Sequence, residues 1–341
     1  MRTFPADITA AIESGKRQTP TLDDPRYSGL FASQITGMKL IESISKSTTP
    51  LEIGTYSPPS ATITAVPGAY PDRLAAVISN AQAADPRVYS ILASYPGTDS
   101  FSYAAFVFTP DDALHETATL EGHNKYYKFL SLLLCQKRAA NTHDLQSIIR
   151  GITQLDDIVL PHNYTYGSLF SDIPDVLENG TLSQTEMLCH VAQACGRFIQ
   201  KAEFFMYDKA QTPAVIPTSK IMSLQCARMD KIVKGVEVFD TSNNVYSRGV
   251  TNSDWRENYV KMTVKDNPLV TSLIGSGVCD NIYSDWCDFS YAPYRLTMPH
   301  DPRIEVGDRI QFTDYSGTVR TSYAAEITRQ FNGAMTLSMG M

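Results

Sequence analysis

Gly307-Asp-Arg-Ile-Gln-Phe-Thr-Asp-Tyr-Ser-Gly317 is the stretch whose reading decides the fold class. Ile310 and Phe312 alternate with Gln311, the two-residue period that turns one side of a strand to a core and the other to water. Ser316-Gly317 then breaks the run, and glycine freely takes the positive φ that a tight hairpin needs. The same pattern recurs on both sides. Val236 and Val238 alternate with charge, and Val260, Met262 and Val264 alternate with Tyr259, Lys261 and Thr263. After the turn pair Asn332-Gly333, Met335, Leu337 and Met339 alternate with Thr336 and Ser338. The last third of the chain therefore reads as an antiparallel barrel or sandwich.

Upstream the signals are mixed. Ser28–Ile44 reads as paired strands, Ala61-Thr-Ile-Thr as a strand, Asp72–Gln82 as a short helix, and Tyr89–Ile91 and Ser102–Thr109 as strands. A turn is expected at Pro110-Asp-Asp, followed by an alternating run at His115–Glu121 and a short helix at Tyr126–Gln136. The clearest helix is Gln184–Ala202. Ser183-Gln-Thr-Glu186 has the form of a capping box, Leu182 and Met187 that of a hydrophobic staple, and Leu188, Val191, Ala192, Cys195, Phe198, Ile199 and Ala202 recur at helical steps.

Composition excludes more than it assigns. With 341 residues the chain has room for two or three domains with real cores. A formal charge of −7 argues against a role in gripping nucleic-acid phosphates, which Lys and Arg would have to supply. No apolar run approaches the ~20 residues that span a bilayer, so no membrane insertion is expected, and the opening Met1-Arg-Thr-Phe-Pro lacks the apolar core of a signal peptide. The six cysteines are irregularly spaced without a C-x-x-C pair, which favours reduced thiols, with Cys279–Cys287 as the one bridge considered.

The sequence carries no recognisable catalytic or metal-binding motif. The six histidines form no metal-binding spacing, and Cys189-His190 with Cys195 reads as structural rather than as a zinc cluster. There is no nucleophile elbow and no P-loop; acidic pairs such as Asp111-Asp112 and Asp156-Asp157 are ordinary turn residues. No catalytic, cofactor-binding or metal-ligating residue is assigned. Tyr283, Trp286, Phe289, Tyr291 and Tyr294 form a dense aromatic patch, read first as core or interface and second as a carbohydrate platform.

Four stretches, in this order, resemble the tail hub (tail-tip) family of phages, prophages and tail-like particles. The first is Leu51-Glu-Ile-Gly-Thr-Tyr-Ser-Pro-Pro-Ser-Ala-Thr-Ile-Thr. The second is Glu116-Thr-Ala-Thr-Leu-Glu-Gly-His-Asn-Lys-Tyr-Tyr, in which Asn124 or His123 stands where the family often has an aspartate. The third is Gln184-Thr-Glu-Met-Leu-Cys-His-Val-Ala-Gln-Ala-Cys-Gly-Arg-Phe, with its glycine exit. The fourth runs from Val264-Lys-Asp-Asn-Pro-Leu-Val through Phe289-Ser-Tyr-Ala-Pro-Tyr and Gly307-Asp-Arg-Ile-Gln-Phe to the Asn332-Gly333 hairpin. The resemblance covers the chain from about residue 50 to its end.

The resemblance implies a mainly β fold with some α: two tube-like antiparallel β-barrel domains, 1–136 and 216–341, joined by a helix-containing middle segment, 137–215. It implies a homotrimeric ring at the host-facing tip of a virion tail, with a tail-tube or distal tail protein above, a spike or fibre below, and DNA passing through the lumen without specific binding. It implies no enzymatic activity. A carbohydrate-binding tail-tip module and a cell-wall-degrading enzyme are the alternatives. The strands around Ile310, Phe312 and Thr313, and around Met335, Thr336, Leu337 and Ser338, are short and carry no Lys or Pro guard. They are therefore expected to be sheet edges that pair between subunits to close the ring.

Overall fold

The computed structural model describes residues 1–24, 27–45, 49–57, 59–81, 88–114, 117–124, 184–200, 203–331 and 333–341. The helix expected at Tyr126–Gln136, the cap and staple at Leu182 and Ser183, and the 136/137 boundary lie outside these residues.

The first part of the chain contributes α1 (Ala6–Glu13), β1 (Thr19–Asp24), β2 (Tyr27–Leu30), β3 (Ile35–Ser43), β4 (Ser60–Ala65), α2 (Pro71–Ala81), β5 (Val88–Ser94), β6 (Phe101–Leu114) and β7 (Thr117–Asn124). The second part begins with α3 (Gln184–Ala194), β8 (Phe198–Gln200), β9 (Glu203–Phe205), β10 (Ala214–Val215), β11 (Ser223–Cys226), β12 (Lys231–Phe239), β13 (Val245–Gly249) and β14 (Tyr259–Val264). It ends with α4 (Gly275–Trp286), β15 (Ser290–Tyr291), β16 (Tyr294–Pro299), β17 (Arg309–Thr313), β18 (Val319–Tyr323), β19 (Glu326–Gln330) and β20 (Ala334–Met339). The fold is mainly β, with antiparallel sheets predominating, as expected.

One eleven-stranded sheet runs β11-β16-β20-β19-β3-β4-β7-β6-β5-β1-β2, with every neighbour antiparallel. Its middle joins the two ends of the chain: β19 pairs with β3 from Glu326↔Ser43 to Gln330↔Lys39. Smaller sheets are β10-β17-β18, β13-β12-β14 (with β15 also on β12) and β8-β9.

Two hydrophobic cores flank the β3–β19 join. The first gathers Ile8 and Ile12 of α1, Leu74 and Val77 of α2, and Leu40, Ile63 and Ile91 of the sheet. The alternation of β4 explains its part, since Ala61, Ile63 and Ala65 are buried while Ser60 and Thr62 are exposed. The second core collects Ile44, Leu51 and Ile53 with residues from Leu188 to Met339.

Three local expectations are corrected. The helix expected to run to Ala202 ends at Ala194, because Gly196 takes φ +67. Arg197 N–H then bonds Ala192 O at 2.8 Å and Gly196 N–H bonds Gln193 O at 3.0 Å, the two bonds of a Schellman stop, and Phe198–Gln200 continues as β8. The turn expected at Pro110-Asp-Asp is instead a register shift inside β6 between Pro110 and Asp112. A bulge tolerates a residue that has no N–H to donate. Finally, α4 occupies a stretch with no helical expectation, burying Val278, Ile282 and Trp286 on one stripe against β12 and β13.

Candidate functional site

The aromatic patch is core, not surface. Trp286, Phe289, Tyr291 and Tyr294 are buried, and Tyr283 is partly buried against the same cluster. Tyr207 sits at its centre: its ring stacks on Phe289 at 5.5 Å and meets Phe198, Phe205 and Trp286 edge-on. The Trp286 indole N–H donates to Gly196 O at 2.8 Å, tying α4 to the stop of α3. No ring face of the four buried residues is open to a sugar, so the carbohydrate reading of this patch is set aside.

The expected edge strands are also relocated. β17 lies between β10 and β18, and β20 between β16 and β19, so both are paired on two sides. Ile310, Phe312, Met335, Leu337 and Ser338 are buried, and Thr313 and Thr336 are half-buried. β20 cannot template a neighbour through its backbone, because strands pair along both of its sides, and β17 is covered on its second side only at Ile310 and Gln311, where β10 pairs. Among the described residues the sheet ends are β11 and β2, β10 and β18, β13 and β14, and β8 and β9.

The edge built by β10, β17 and β18 presents a mostly apolar and uncharged polar surface, with Arg309 at one end, where its guanidinium donates to Gln211 O at 3.1 Å. Cross-strand partners share a face, and the partners here are Val215↔Gln311, Gln311↔Thr321 and Thr313↔Val319. Val215 and Val319 are exposed apolar residues, as are Met222 just before β11 and Tyr315 at the hairpin tip. Tyr315 is 81% exposed, yet its hydroxyl accepts a bond from Leu224 N–H at 3.2 Å, so the ring lies along β11. Sequence reasoning missed these residues. The signal that could have found them is the outward half of the alternation it used: Val319 and Tyr315 stand where polar residues would be normal.

Charge fixes this hairpin from behind. Asp314 accepts from the N–H groups of Ser316 and Thr318 at 2.8 and 3.0 Å and from Arg320 Nε at 2.8 Å. The Ser316 hydroxyl, followed by the Arg320 guanidinium, holds its carboxyl well below the usual carboxylate range. Arg320 also donates to Asp230 Oδ1 and to Arg228 O, both at 3.1 Å, anchoring the hairpin to the segment before β12.

The candidate chemical groups remain apart. Cys279 and Cys287 are both free thiols, so the Cys279–Cys287 bridge is not formed. Burial pushes the Cys189 and Cys279 thiols up to about 11, away from the reactive thiolate. Burial also lowers the His190 pKa. Among the described residues no three His, Cys, Asp or Glu side chains converge on one point, and no helix is long and apolar enough to cross a membrane.

No protein-family model matches the chain, and no curated protein matches it by sequence. Solved structures do match. A tail protein from Neisseria meningitidis MC58 superposes with a TM-score of 0.55 at 10% identity, covering 95% of this chain and 96% of that one. The chain has the fold of a phage tail protein. The 43 kDa tail protein of prophage MuSo2 from Shewanella oneidensis is equally similar, with a TM-score of 0.55 at 10% identity, covering 94% of this chain and 97% of that one. Near-complete coverage in both directions means that the tail-protein fold accounts for both cores and the sheet that joins them, rather than for one borrowed motif.

Proposed function

We propose that this chain is a structural, non-enzymatic hub of a phage-type tail. Three copies close into a ring at the host-facing tip of the tail tube and connect it to a spike or fibre. The observation that carries the reading is the end-to-end fold shared with two tail proteins. Each subunit supplies two β units, nominally 1–136 and 216–341 about a middle segment 137–215, so that three subunits give a pseudo-sixfold ring. A tail-tube or distal tail protein sits above it, and DNA slides through a lumen that an acidic protein does not make adhesive. Ring closure is assigned to the exposed apolar residues Val215, Tyr315 and Val319 rather than to β17 and β20 themselves. Apolar residues meet those of another copy without like-charge repulsion and desolvate at low cost.

The test is solution mass by light scattering, with ring images by negative stain. A trimer is expected, and Val319→Lys is expected to give monomers with unchanged circular dichroism. A wild-type monomer at micromolar concentration would sink the proposal, and a trimeric Val319→Lys would move closure to another edge.

A further inference from the structure

Beyond assembly, the outer face of the β13-β12-β14 sheet carries a second feature. After β13 the chain turns at Gly249 (φ +132), and residues 250–258 cross to the far edge, where β14 runs parallel to β12. The inner face of this sheet packs on α4. On the outer face the crossing segment leaves a groove of about 540 Å3. The volume is within the range of about 300–1,000 Å3 usual for small-molecule sites. Gly235, Glu237, Ser247 and Lys261 line it from the sheet, and Asn252 and Trp255 from the crossing segment.

Two features of the groove select a ligand class. First, its charges are satisfied internally. Lys261 Nζ meets Glu237 Oε1 at 2.7 Å, and Arg248, whose residue also borders the groove, is bound by both carboxylate oxygens of Asp280. Little net charge is left to draw an ion, whereas carboxylate, ammonium, amide and hydroxyl groups remain able to bond hydroxyls. Second, Trp255 is only half-buried, with its six-membered ring against Gly235, where a Cβ would come within 3.3 Å. The groove thus pairs the Trp255 indole, whose ring centre lies 5.9 Å from the Lys261 ammonium, with hydrogen-bonding groups whose charges offset one another. A ligand with one apolar face and a polar rim fits this pairing, and that is the pattern of a pyranose ring.

We infer that the Trp255 groove binds a neutral oligosaccharide, stacking one sugar on Trp255 while Glu237, Ser247 and Asn252 bond its hydroxyls. The inference does not depend on ring formation. It replaces the buried aromatic patch with a surface site on a different element.

The chain reports on the site by itself. Its two tryptophans are Trp255, half-buried in the groove, and Trp286, fully buried, so ligand-dependent fluorescence arises at Trp255. The full-length protein is titrated with maltotriose and with the N-acetylglucosamine trisaccharide. Inorganic phosphate and an extended apolar hexapeptide serve as contrasting probes. A saturable change with at least one trisaccharide is expected. It should weaken about tenfold in Glu237→Gln, the loss typical of one hydrogen bond to a charged group. It should vanish in Ser247→Phe, which fills the floor from a strand position that tolerates an aromatic. Thermal melts of both variants should match the wild type. No saturable change with either sugar at its solubility limit overturns the inference. So does an undiminished response in Ser247→Phe, or saturation by phosphate or peptide alone.

Discussion

The two cores on either side of the β3–β19 join are built on different principles. The first is a single sheet whose aliphatic face is covered by α1 and α2, and its few tyrosine hydroxyls are hydrogen-bonded: Gln18 Nε2 donates to Tyr95 and Gln18 Oε1 accepts from Tyr103, each at 2.9 Å. The second folds several short strands and two helices around a knot of rings centred on Tyr207. A flat sheet spreads its stability over many similar aliphatic contacts. A ring knot concentrates it, because each aromatic buries a large area and touches several partners at once. The contrast is therefore mechanical: the first core should yield gradually to truncation, and the second abruptly.

The sharpest way to break that contrast is a matched pair of truncations. Trp286→Ala removes the indole that Phe198, Tyr207 and Phe289 pack against and leaves Gly196 O without its donor. It is expected to cost about 4 kcal/mol, in the middle of the range for aromatic-to-alanine changes. Ile63→Ala, equally buried in the first core, is expected to cost about 2–3 kcal/mol. Urea midpoints decide it, and equal costs would erase the distinction between the cores.

How much of this was legible in the sequence divides along physical lines. β12, β14, β17 and β20 were read from alternation, which a strand with one buried face must show. Their neighbours were not, because pairing depends on partners far away in the chain. β17 is flanked by β10 from residue 214, and β19 by β3 from residue 35, and nothing in the strands' own residues encodes either. That is why buried central strands passed for edges. α4 was legible in principle, through Val278, Ile282 and Trp286 at four-residue steps. A Gly-Ser-Gly start hid it, and its last aromatics were grouped with the strands that follow. At the groove, Trp255 gave no periodic signal, since its role depends on a loop crossing over Gly235.

The join between the cores sharpens the comparison next. Arg329 on β19 is 2% exposed, and its Nε donates to Glu42 on β3 at 3.0 Å. Its other nitrogens donate to Asp301 O and Ile304 O, and its guanidinium lies 5.4 Å from the Tyr103 ring. Arg329→Met keeps the volume but strands a carboxylate and two carbonyls. It is expected to cost about 3 kcal/mol and to separate one calorimetric transition into two. A single unsplit transition would mean that backbone pairing alone couples the cores.

Acid acts at the same place more gently. His300 packs against Tyr103 and Phe331, and among the described residues its ring nitrogens have no hydrogen-bond partner. Burial, and then the Arg329 charge, hold its pKa well below the ordinary 6.5. The unfolded chain therefore takes a proton below pH 6.5 that the folded chain refuses. Stability should fall with pH through that window, by up to about 1.4 kcal/mol per unit while only the unfolded form titrates. His300→Phe should flatten the profile between pH 6.5 and 5. An unchanged slope in the variant would assign the acid response to other groups.

The smallest effect tests the comparison atom by atom. In the first core the Tyr103 hydroxyl donates to Gln18 Oε1, so Tyr103→Phe leaves a buried amide oxygen without its donor and should cost about 1 kcal/mol. In the second core the Tyr207 hydroxyl is fully buried near Ser45, and among the described residues neither it nor Ser45 Oγ has a hydrogen-bond partner. Burial pushes the Tyr207 phenol far up, as an apolar surrounding requires. Removing that oxygen loses no bond and relieves a desolvated dipole, so Tyr207→Phe should be neutral or stabilise by up to about 1 kcal/mol. The rings are retained in both variants, so packing is held constant and only the hydroxyl is compared. The measurement is the difference in urea midpoint between the two variants at a common m-value. A Tyr207→Phe cost equal to that of Tyr103→Phe would show that the ring knot, like the flat sheet, holds its tyrosine hydroxyl by a hydrogen bond.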